Sequence, residues 1–330
     1  MSAPSSSVVA EHQHAAYRRA ARELVVESIH LVAPLVRHLV LAPRDGGPLT
    51  PYEPGSHVVV ETPTGRNAYS LTGDGASPHR YTISVLRRGD GGGSAWIHDV
   101  VAVGDVLTVE GPRSAFPPRH DQRHALLVAG GIGITPVLSH ARAVVRWGGT
   151  AEVVYVHRPG VAPHLDEVDA LTEHGVRVHV AVGRDAGRAL LAERLADQPL
   201  GTHAYACGPA SMLAAYLELG AEAGWPASRL HLERFEGLEL DPGVPFEVTV
   251  SSTRARVTVP AGTSLLQALL DHGTAVPHLC RQGFCGECRV GVVRAARLEH
   301  RDEVLSEHER AAGDTILCCV SRGTDLEVAL

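Results

Sequence analysis

The chain has 330 residues, of which 44% are hydrophobic and 20% are charged, as is typical of a soluble globular protein with two or three domains. Its formal net charge of −7 gives no sign of the broad basic surface that nucleic acid binding needs. No secretory signal is apparent, nor any apolar stretch of the roughly 18 residues that a membrane span requires. We therefore expect a cytoplasmic protein that binds neither nucleic acid nor membrane.

Residues 23–119 contain short Val- and Ile-rich segments separated by Gly, Pro and Asp turns. They follow an extension, residues 1–22, to which we assign no function. Six such segments at this spacing predict an antiparallel barrel or sandwich. The predicted strands are 24–31, 35–41, 57–61, 68–72, 81–87 and 106–110, and one helix is predicted at 94–101.

Two motifs stand out in this first part. Arg66-Asn67-Ala68-Tyr69-Ser70-Leu71 lies on a predicted strand, where a Tyr ring and a Ser hydroxyl can cover a planar ring and hydrogen-bond its edge. Gly91-Gly92-Gly93-Ser94 precedes the predicted helix and has the composition of a phosphate-binding nest of backbone N–H groups. Either motif alone is compatible with an ordinary strand or turn.

Residues 120–236 alternate between strand and helix patterns, which predicts a parallel sheet covered by helices. An apolar run at 124–129 leads into Gly130-Gly131-Ile132-Gly133-Ile134-Thr135-Pro136 and a helix that ends near Trp147. Glycines in such a turn let the backbone approach a pyrophosphate at a helix N-terminus. We place Thr135 as the N-cap and Pro136 as the first helical residue. The later predicted segments are 151–156, 165–173, 176–181, 189–196, 203–206, 209–223 and 230–233.

A second turn in this part is Cys207-Gly208-Pro209. Both turns are expected at the C-terminal ends of strands, where open α/β sheets bind ligands. Residues 237–244 then have the composition of a linker, and residues 245–330 predict a small sheet packed on one helix, as in a β-grasp fold. The predicted elements are strands 246–250, 256–259, 289–293 and 325–328 and helix 264–272, with Thr263 or Ser264 near its N-cap.

Five of the six cysteines lie in this last part. Cys280, Cys285 and Cys288 have C-x4-C-x2-C spacing and are followed by Cys318-Cys319, which is the pattern of a plant-type [2Fe–2S] cluster. The alternative is a zinc site, but zinc ligands usually come as two closer pairs. The fourth ligand is Cys318 or Cys319. We prefer Cys319, because in ferredoxins this ligand commonly follows an apolar-Leu-x segment.

These motifs, in this order, resemble the phthalate dioxygenase reductase family, which includes the reductase of vanillate demethylase. The resemblance covers the chain from about residue 23 to the end. It implies an FMN-binding β-barrel at 23–119, an NAD-binding α/β domain at 120–236 and a [2Fe–2S] ferredoxin domain at 245–330. It also implies that a hydride passes from NADH to FMN and that electrons leave singly through the cluster. The recipient would be a terminal oxygenase, Rieske-type foremost, with a cytochrome P450 as the alternative.

The resemblance also implies roles for individual residues. The flavin site would contain Arg66, Asn67, Tyr69, Ser70, Ser84 and Leu86, with Gly92, Gly93 and Ser94 at the FMN phosphate. The NAD site would contain Gly131, Gly133, Thr135, Pro136, Cys207, Gly208 and Pro209, with Phe235 near the flavin. Of these, Ser70, Thr135 and Cys207 would lie at the reacting rings. The segment Val320-Ser321-Arg322 matches the family pattern after the last ligand, which favours Cys319.

Two departures from the family concern positive charge at the flavin. Asn67 stands where the family usually has Arg, with Arg66 displaced by one position, and Leu86 stands where Lys is frequent. Two alternatives stay open, an FAD-containing reductase of a multicomponent hydroxylase or P450 and a non-enzymatic ferredoxin-type carrier, although the short flavin domain with its Gly-Gly-Gly-Ser nest favours FMN. NADPH in place of NADH is also open, through Arg158, Arg184 or Arg188. We expect NADH, and a monomer.

Overall fold

The structure, a computed structural model, describes residues 21–114, 116–235 and 240–330. The chain divides into two compact units, the first ending at Phe235 and the second following it. The first twenty residues of the predicted extension, and residues 237–239 of the predicted linker, lie outside the described residues. In the described ranges, no helix is long and apolar enough to cross a membrane.

The first unit begins with an antiparallel sheet that curls into a barrel, as predicted. In the described residues, its strands follow the order β4-β3-β6-β1-β2-β5, and a bridge between Leu71 and Ile83 joins the two edges. Val58, Val60 and Ile97 are completely buried inside it. The elements are β1 (Arg22–Ala33), β2 (Val36–Pro43), β3 (Ser56–Thr62), β4 (Gly65–Ser70), β5 (Tyr81–Leu86), α1 (Gly93–Asp99) and β6 (Val106–Ser114).

The first unit continues with a parallel sheet of order β11-β10-β7-β8-β9, which confirms the predicted α/β architecture. Helices cover both faces, with one apolar cluster on each side. Every residue of β7 is buried, which explains its continuous apolar run. The elements are β7 (His124–Gly130), α2 (Ile134–Arg146), β8 (Ala151–His157), α3 (Leu165–Ala170), β9 (Arg177–Val182), α4 (Arg184–Ala196), β10 (Thr202–Cys207), α5 (Ala210–Glu222) and β11 (Leu230–Glu233).

The start of α2 differs from the prediction. A 3-10 turn, Gly131–Gly133, runs directly into the helix, so Gly133 and not Thr135 is the N-cap. The Thr135 hydroxyl donates to the Ile132 carbonyl at 3.0 Å. Pro136 is therefore the third helical residue, where its missing N–H is harmless because the first N–H groups of a helix have no partner within it.

The second unit is a mixed sheet of order β13-β12-β18-β14-β16, with β15 and β17 forming a separate pair. Ser264 is the N-cap of its first helix and accepts a hydrogen bond from Gln267 N at 3.1 Å, as predicted. The elements are β12 (Phe246–Val250), β13 (Arg256–Val259), α6 (Leu265–Asp271), β14 (Arg289–Arg294), β15 (Arg297–Glu299), α7 (Glu307–Ala312), β16 (Thr315–Leu317), β17 (Arg322–Thr324) and β18 (Leu326–Ala329).

Candidate functional site

Strand β4 and the glycine-rich start of α1 meet side by side on the barrel. A Cβ on Gly93 would collide with the Asn67 carboxamide and lie 2.8 Å from Thr62 Oγ1, so a larger residue here would displace the Asn67 side chain. The Ser94 hydroxyl accepts a hydrogen bond from the backbone N–H of Arg88 at 3.0 Å, which ties the glycine loop to the chain after β5. The structure therefore brings the Asn67 motif and the predicted phosphate nest together.

Tyr69 on β4 has a buried hydroxyl, for which the described part of the chain offers no hydrogen-bond partner. Burial raises the pKa of this phenol, against the opposing effect of Arg88, so the hydroxyl remains a donor. An orphan buried donor costs free energy and is uncommon in folded proteins. Oxygen atoms of a flavin phosphate or ribityl chain would satisfy it. The cradle formed by Asn67, Tyr69, Gly93 and Ser94 thus fits a flavin, and the nearby Arg88 supplies positive charge.

The remaining predicted flavin residues have different surroundings. Ser70 ends β4 and is 5% exposed, and Leu86 is half-buried at the end of β5. Arg66 donates to Glu110 at 2.5 Å. Successive side chains of a strand point to opposite faces, so Arg66 lies on the other face of β4 from Asn67. The structure does not bring Arg66 into the cradle.

Ser84 on β5 is buried, but neighbouring imidazoles already occupy its hydroxyl. Its Oγ lies 2.9 Å from His38 Nδ1 and 2.7 Å from His164 Nε2. His38 belongs to the barrel and His164 precedes α3 of the α/β part. Ser84 therefore joins the two halves of the first unit, a role that its position on the predicted flavin strand did not indicate.

The two predicted nucleotide turns meet at one edge of the parallel sheet. Strands β7 and β10 are neighbours, with Ala129 opposite Cys207 in register. A Cβ on Gly133 would collide with the Cys207 carbonyl, and one on Gly208 would lie 3.0 Å from Gly130 Cα. The turns thus pack backbone against backbone, at the strand ends where open α/β sheets bind ligands.

Most side chains around these turns are buried or hydrogen-bonded within the protein. Thr135 is 2% exposed and its hydroxyl is held by the turn, while Pro136 is buried beside it. Gly131 has a φ of 53° with open space around it, as expected of a residue whose backbone approaches a ligand. Met212, which the sequence did not indicate, fills the space over Gly130 and Gly208, and Pro209 also packs against Gly130.

Glu233 is a candidate functional residue that the sequence did not reveal. It stands opposite Cys207 in the register of β10 and β11, and in the described chain its buried Oε2 has no hydrogen-bond partner. Burial raises the pKa of Glu233 to about 8. Burial, followed by the charge of Glu233, also raises the pKa of the Cys207 thiol. Two polar groups that are uncharged at neutral pH therefore lie together beside the predicted nicotinamide position, and Phe235 follows two residues later.

The cysteine loop of the second unit has the backbone that its glycines predict. Gly283 and Gly286 have φ values of 83° and 76°, and a Cβ on Gly283 would lie 2.8 Å from Val320 Cγ2. Backbone N–H groups face the sulfurs, since Gln282 N lies 3.3 Å from Cys280 Sγ and Cys280 N lies 3.5 Å from Cys285 Sγ. Such N–H···S contacts stabilise thiolates and tune the potential of a cluster.

The thiols come together in pairs. Cys280 interacts with Cys285, and Cys288 interacts with Cys318 and Cys319. In the described ranges, no three His, Cys, Asp or Glu side chains converge as ligands of a single ion would. A [2Fe–2S] cluster takes four cysteines over two irons, whereas structural zinc brings four ligands to one ion. The C-x4-C-x2-C spacing of the donor set, with its distant fourth cysteine, fits a plant-type cluster better than the closer ligand pairs of zinc sites.

Cys318 and Cys319 differ in what they face. Cys318 is fully buried in the apolar core, and its thiol donates to the Cys288 carbonyl at 3.1 Å. The Cys319 thiol interacts with Cys288, with the charge of Cys280 and with the backbone of Gly283. The hydrogen bond with Cys288 raises the pKa of Cys319 most, followed by burial and by the charges of Cys288 and Cys280. Of these two thiols, only that of Cys319 therefore lies close to both Cys280 and Cys288.

The loop is supported by residues that the sequence did not single out. The buried Asp302 carboxylate accepts from Leu305 N at 2.8 Å, and Glu303 N donates to the Gly283 carbonyl at 3.0 Å. Arg322 donates to the carbonyls of Val244, Thr263 and Pro260 within 3.1 Å and lies over the Phe246 ring. These contacts hold in place the two segments that carry the proposed cluster ligands, residues 280–288 and the chain around Cys319.

Comparisons with known proteins agree with this arrangement. Residues 248–324 match the model of a 2Fe-2S iron-sulfur cluster binding domain. Residues 110–230 match the N-terminal domain of dimethylamine monooxygenase subunit DmmA-like proteins.

Full-length relatives are also found. The chain is 39% identical to the heme-dependent oxidative N-demethylase beta subunit of Ectopseudomonas mendocina, over 84% of this chain and 89% of the relative. It is 35% identical to the vanillate O-demethylase oxidoreductase of a Pseudomonas species, over 91% and 96%.

A solved structure of phthalate dioxygenase reductase, described as modular for electron transfer from pyridine nucleotides to [2Fe-2S], matches with a TM-score of 0.73 and 31% identity, over 94% of this chain and 98% of that one. The resemblance inferred from the motifs is therefore confirmed. The chain belongs to the phthalate dioxygenase reductase and vanillate demethylase reductase family, and it is an NAD(P)H-dependent flavin and iron–sulfur oxidoreductase.

Proposed function

We propose that this chain is the NADH-dependent reductase of an oxygenase system, carrying electrons from NADH through FMN and a [2Fe–2S] cluster to a terminal oxygenase. The observation that supports it most is the presence of three built sites in one chain. They are the cradle with its orphan Tyr69 hydroxyl, the packed turns at Gly133 and Cys207, and the paired cysteines.

In the first unit, the protein's task is to orient two rings. Hydride transfer depends on alignment and short distance more than on acid–base chemistry. Bound flavin supplies the conversion of a two-electron donor into single electrons. Gly133 and Gly208 let the two turns pack closely at this edge, because a Cβ on Gly133 would meet the Cys207 carbonyl and one on Gly208 would meet Met212 and Gly130. Cys207 and Glu233, both uncharged at neutral pH, line the predicted nicotinamide position without adding a charge to it.

In the second unit, the thiolates of Cys280, Cys285, Cys288 and Cys319 would hold the cluster, which would supply a one-electron carrier. The N–H groups that face Cys280 and Cys285 would stabilise the reduced, more negative cluster. Plant-type clusters have potentials of roughly −400 mV, below those of Rieske centres, so transfer to such an acceptor is downhill.

FMN is proposed over FAD because the cradle, with its glycine nest and its Tyr69 donor, suits a terminal phosphate close to the barrel. Acid extraction of the flavin and chromatography against both standards decides this directly.

NADH is proposed over NADPH because Arg188, one candidate for a 2′-phosphate, already donates to Glu218 at 3.1 Å. The ratio of kcat/KM for the two nucleotides tests that assignment.

For the partner, we propose a Rieske-type oxygenase, supported by the likeness to vanillate O-demethylase oxidoreductase. A haem-containing amine oxygenase is the second candidate, favoured by the match to DmmA-like proteins and by the N-demethylase relative. Reduction of a purified Rieske oxygenase and of a haem N-demethylase, each followed by its own absorbance under anaerobic conditions, discriminates the two.

The test of the proposed function is an anaerobic titration of the purified protein with NADH. We expect the flavin absorbance to bleach and the electron paramagnetic resonance signal of a reduced [2Fe–2S] cluster to appear, with two irons per chain by metal analysis. Protein that contains zinc in place of iron, or a flavin that NADH leaves oxidised, would contradict the proposal.

A further inference from the structure

His164 has a left-handed backbone conformation. It precedes α3 with φ of 60° and ψ of 23°, a region that is uncommon for residues other than Gly and that Asn, Asp and His enter more often than the rest. Its side chain is fully buried, and no side-chain capping hydrogen bond is made at this position. Its carbonyl accepts the first helical hydrogen bond, from Val168 N at 2.9 Å, so the contacts that the buried ring makes beyond the helix start show what else it does.

The His164 ring bridges the two halves of the first unit. Its Nδ1 is hydrogen-bonded to the Glu167 carboxylate one turn later, which fixes the proton on Nδ1 and makes Nε2 the acceptor. Nε2 lies 2.7 Å from the hydroxyl of Ser84, on barrel strand β5. Ser84 in turn lies 2.9 Å from His38 Nδ1 on β2. Each donor in this chain therefore meets an acceptor.

A second series of hydrogen bonds joins the same two parts of the first unit. Arg142 on α2 donates to the other oxygen of Glu167, and its Nη1 donates to the Thr72 carbonyl at 2.6 Å. Thr72 follows β4, two residues after Ser70, and its hydroxyl lies 2.6 Å from that of Thr82 on β5. Glu167 thus connects the α/β part to the ends of both predicted flavin strands.

We propose that His164 is a positioning residue, which with Glu167 and Arg142 locks the nucleotide-binding part onto β4 and β5 and so sets the gap across which hydride is transferred. This inference rests on the proposed function, because it takes β4 and β5 as the flavin strands. The charged and titratable groups facing the ring are Glu167 on α3, Arg142 on α2 and His38 on β2, with His30 on β1 beyond His38.

Asparagine at position 164 separates the two roles that the histidine can have. Asn adopts the left-handed conformation readily and can cap a helix, so His164→Asn relieves the backbone while removing the bridge to Ser84. If His164 served only the start of α3, the variant would be neutral or more stable. If it positions the two halves, flavin reduction slows although the protein folds.

The experiment is stopped-flow reduction of flavin by NADH in wild type, His164→Asn and Ser84→Ala. Hydrogen exchange of 81–86 and 165–170 is measured in the same proteins without NADH. The matched control is His174→Asn, which changes an exposed histidine close to the same helix. We expect His164→Asn to lower the reduction rate about 10- to 100-fold, since displacement by about 1 Å can cost 100-fold. The NADH dissociation constant should change less than about threefold, and exchange should increase in both segments.

Ser84→Ala should reproduce much of this effect, and the double variant should be little worse than either single variant, because both remove the same bridge. Wild-type reduction rates and exchange in both single variants would overturn the inference. A wild-type protein whose flavin NADH does not reduce at all would instead defeat the proposed function. If His164→Asn does not fold, the flavin reduction rate and hydrogen exchange of Ser84→Ala decide whether the inference holds.

Discussion

Three of the four proposed cluster ligands lie within residues 280–288 of the second unit, whereas the flavin and nicotinamide residues of the first unit come from segments between Asn67 and Phe235. In the second unit, covalent proximity places Cys280, Cys285 and Cys288, and the glycines shape the loop. In the first unit, tertiary packing brings the residues together, as when Gly93 meets Asn67 and Gly133 meets Cys207. A loop site is therefore visible in sequence, while an assembled site depends on partners far along the chain.

This difference between the two units predicts that the largest loss of activity follows substitution of Cys319, the one proposed cluster ligand outside residues 280–288. Cys319→Ser should abolish the plant-type cluster and lower electron transfer beyond the flavin by at least about 100-fold, since a [2Fe–2S] cluster needs four thiolates. Cys318→Ser is the matched control. It should keep the cluster and lose only core stability, because that thiol is buried among apolar side chains. Iron content and visible spectra measure both, and the reverse pattern would make Cys318 the ligand.

The contact between the two nucleotide turns should be the most sensitive point of the first unit. Gly133→Ala introduces a Cβ that collides with the Cys207 backbone, which cannot yield as a flexible side chain does. We expect KM for NADH to rise by roughly 10-fold or more, as the turns separate at the edge that binds the dinucleotide. Steady-state kinetics with ferricyanide as acceptor measure this without a partner, and an unchanged KM would remove the turn from the binding site.

The orphan hydroxyl of Tyr69 predicts effects of opposite sign on flavin affinity and on stability. Tyr69→Phe should weaken flavin binding about 5- to 10-fold, the equivalent of one hydrogen bond of about 1 kcal/mol. It should leave the flavin-free protein as stable as before or more so, because a buried unpaired donor is removed.

Tyr81→Phe is the control for that experiment. Its hydroxyl donates to the Thr50 carbonyl at 2.8 Å, so the variant should lose about 1 kcal/mol of stability and keep its flavin affinity. Fluorescence titration with flavin and urea unfolding supply both quantities. A Tyr69→Phe variant that binds flavin as wild type would place the flavin elsewhere.

The last expected effect concerns the stability of the first unit alone, which should depend on pH. Because the pKa of Glu233 is raised to about 8 in the folded state, the unfolded chain loses this proton first as pH rises. Stability is therefore greatest below the ordinary carboxyl range and falls until about pH 8. Glu233→Gln should remove that decline, gaining on the order of 2 kcal/mol relative to wild type between pH 5 and pH 8. Urea unfolding across this range checks it, and parallel profiles for both proteins would show that the carboxyl ionises normally.

Much of the architecture was predictable because each part has a distinct hydrophobic pattern. The alternating strands of the barrel and the buried run of β7 both follow directly from burial on one face or two. The start of α4 was missed, since Arg184-Asp185-Ala186-Gly187 resembles a turn. Gly187 is instead required by the close approach of Val156. The three-residue strands β15, β16 and β17 are too short to show a period.

The candidate site was predictable where a motif is local and not where a side chain acts across the fold. Glu233 ends a strand of only four residues, and its importance appears only when β11 pairs with β10 beside Cys207. His164 meets Ser84 across 80 residues of sequence, so no spacing pattern connects them. Arg66 shows the converse case: it is next to Asn67 in sequence, but its side chain lies on the other face of β4 and donates to Glu110.

The most direct test of the relay is anaerobic stopped-flow mixing of NADH with wild type and with Cys319→Ser, followed at flavin and cluster wavelengths. In wild type, we predict that flavin bleaching comes first and that cluster reduction follows, with partial recovery of the flavin absorbance. In Cys319→Ser, the flavin should bleach at the wild-type rate and stay reduced. Cluster reduction that precedes flavin bleaching in wild type, or recovery of the flavin in the variant, would contradict the order NADH, flavin, cluster.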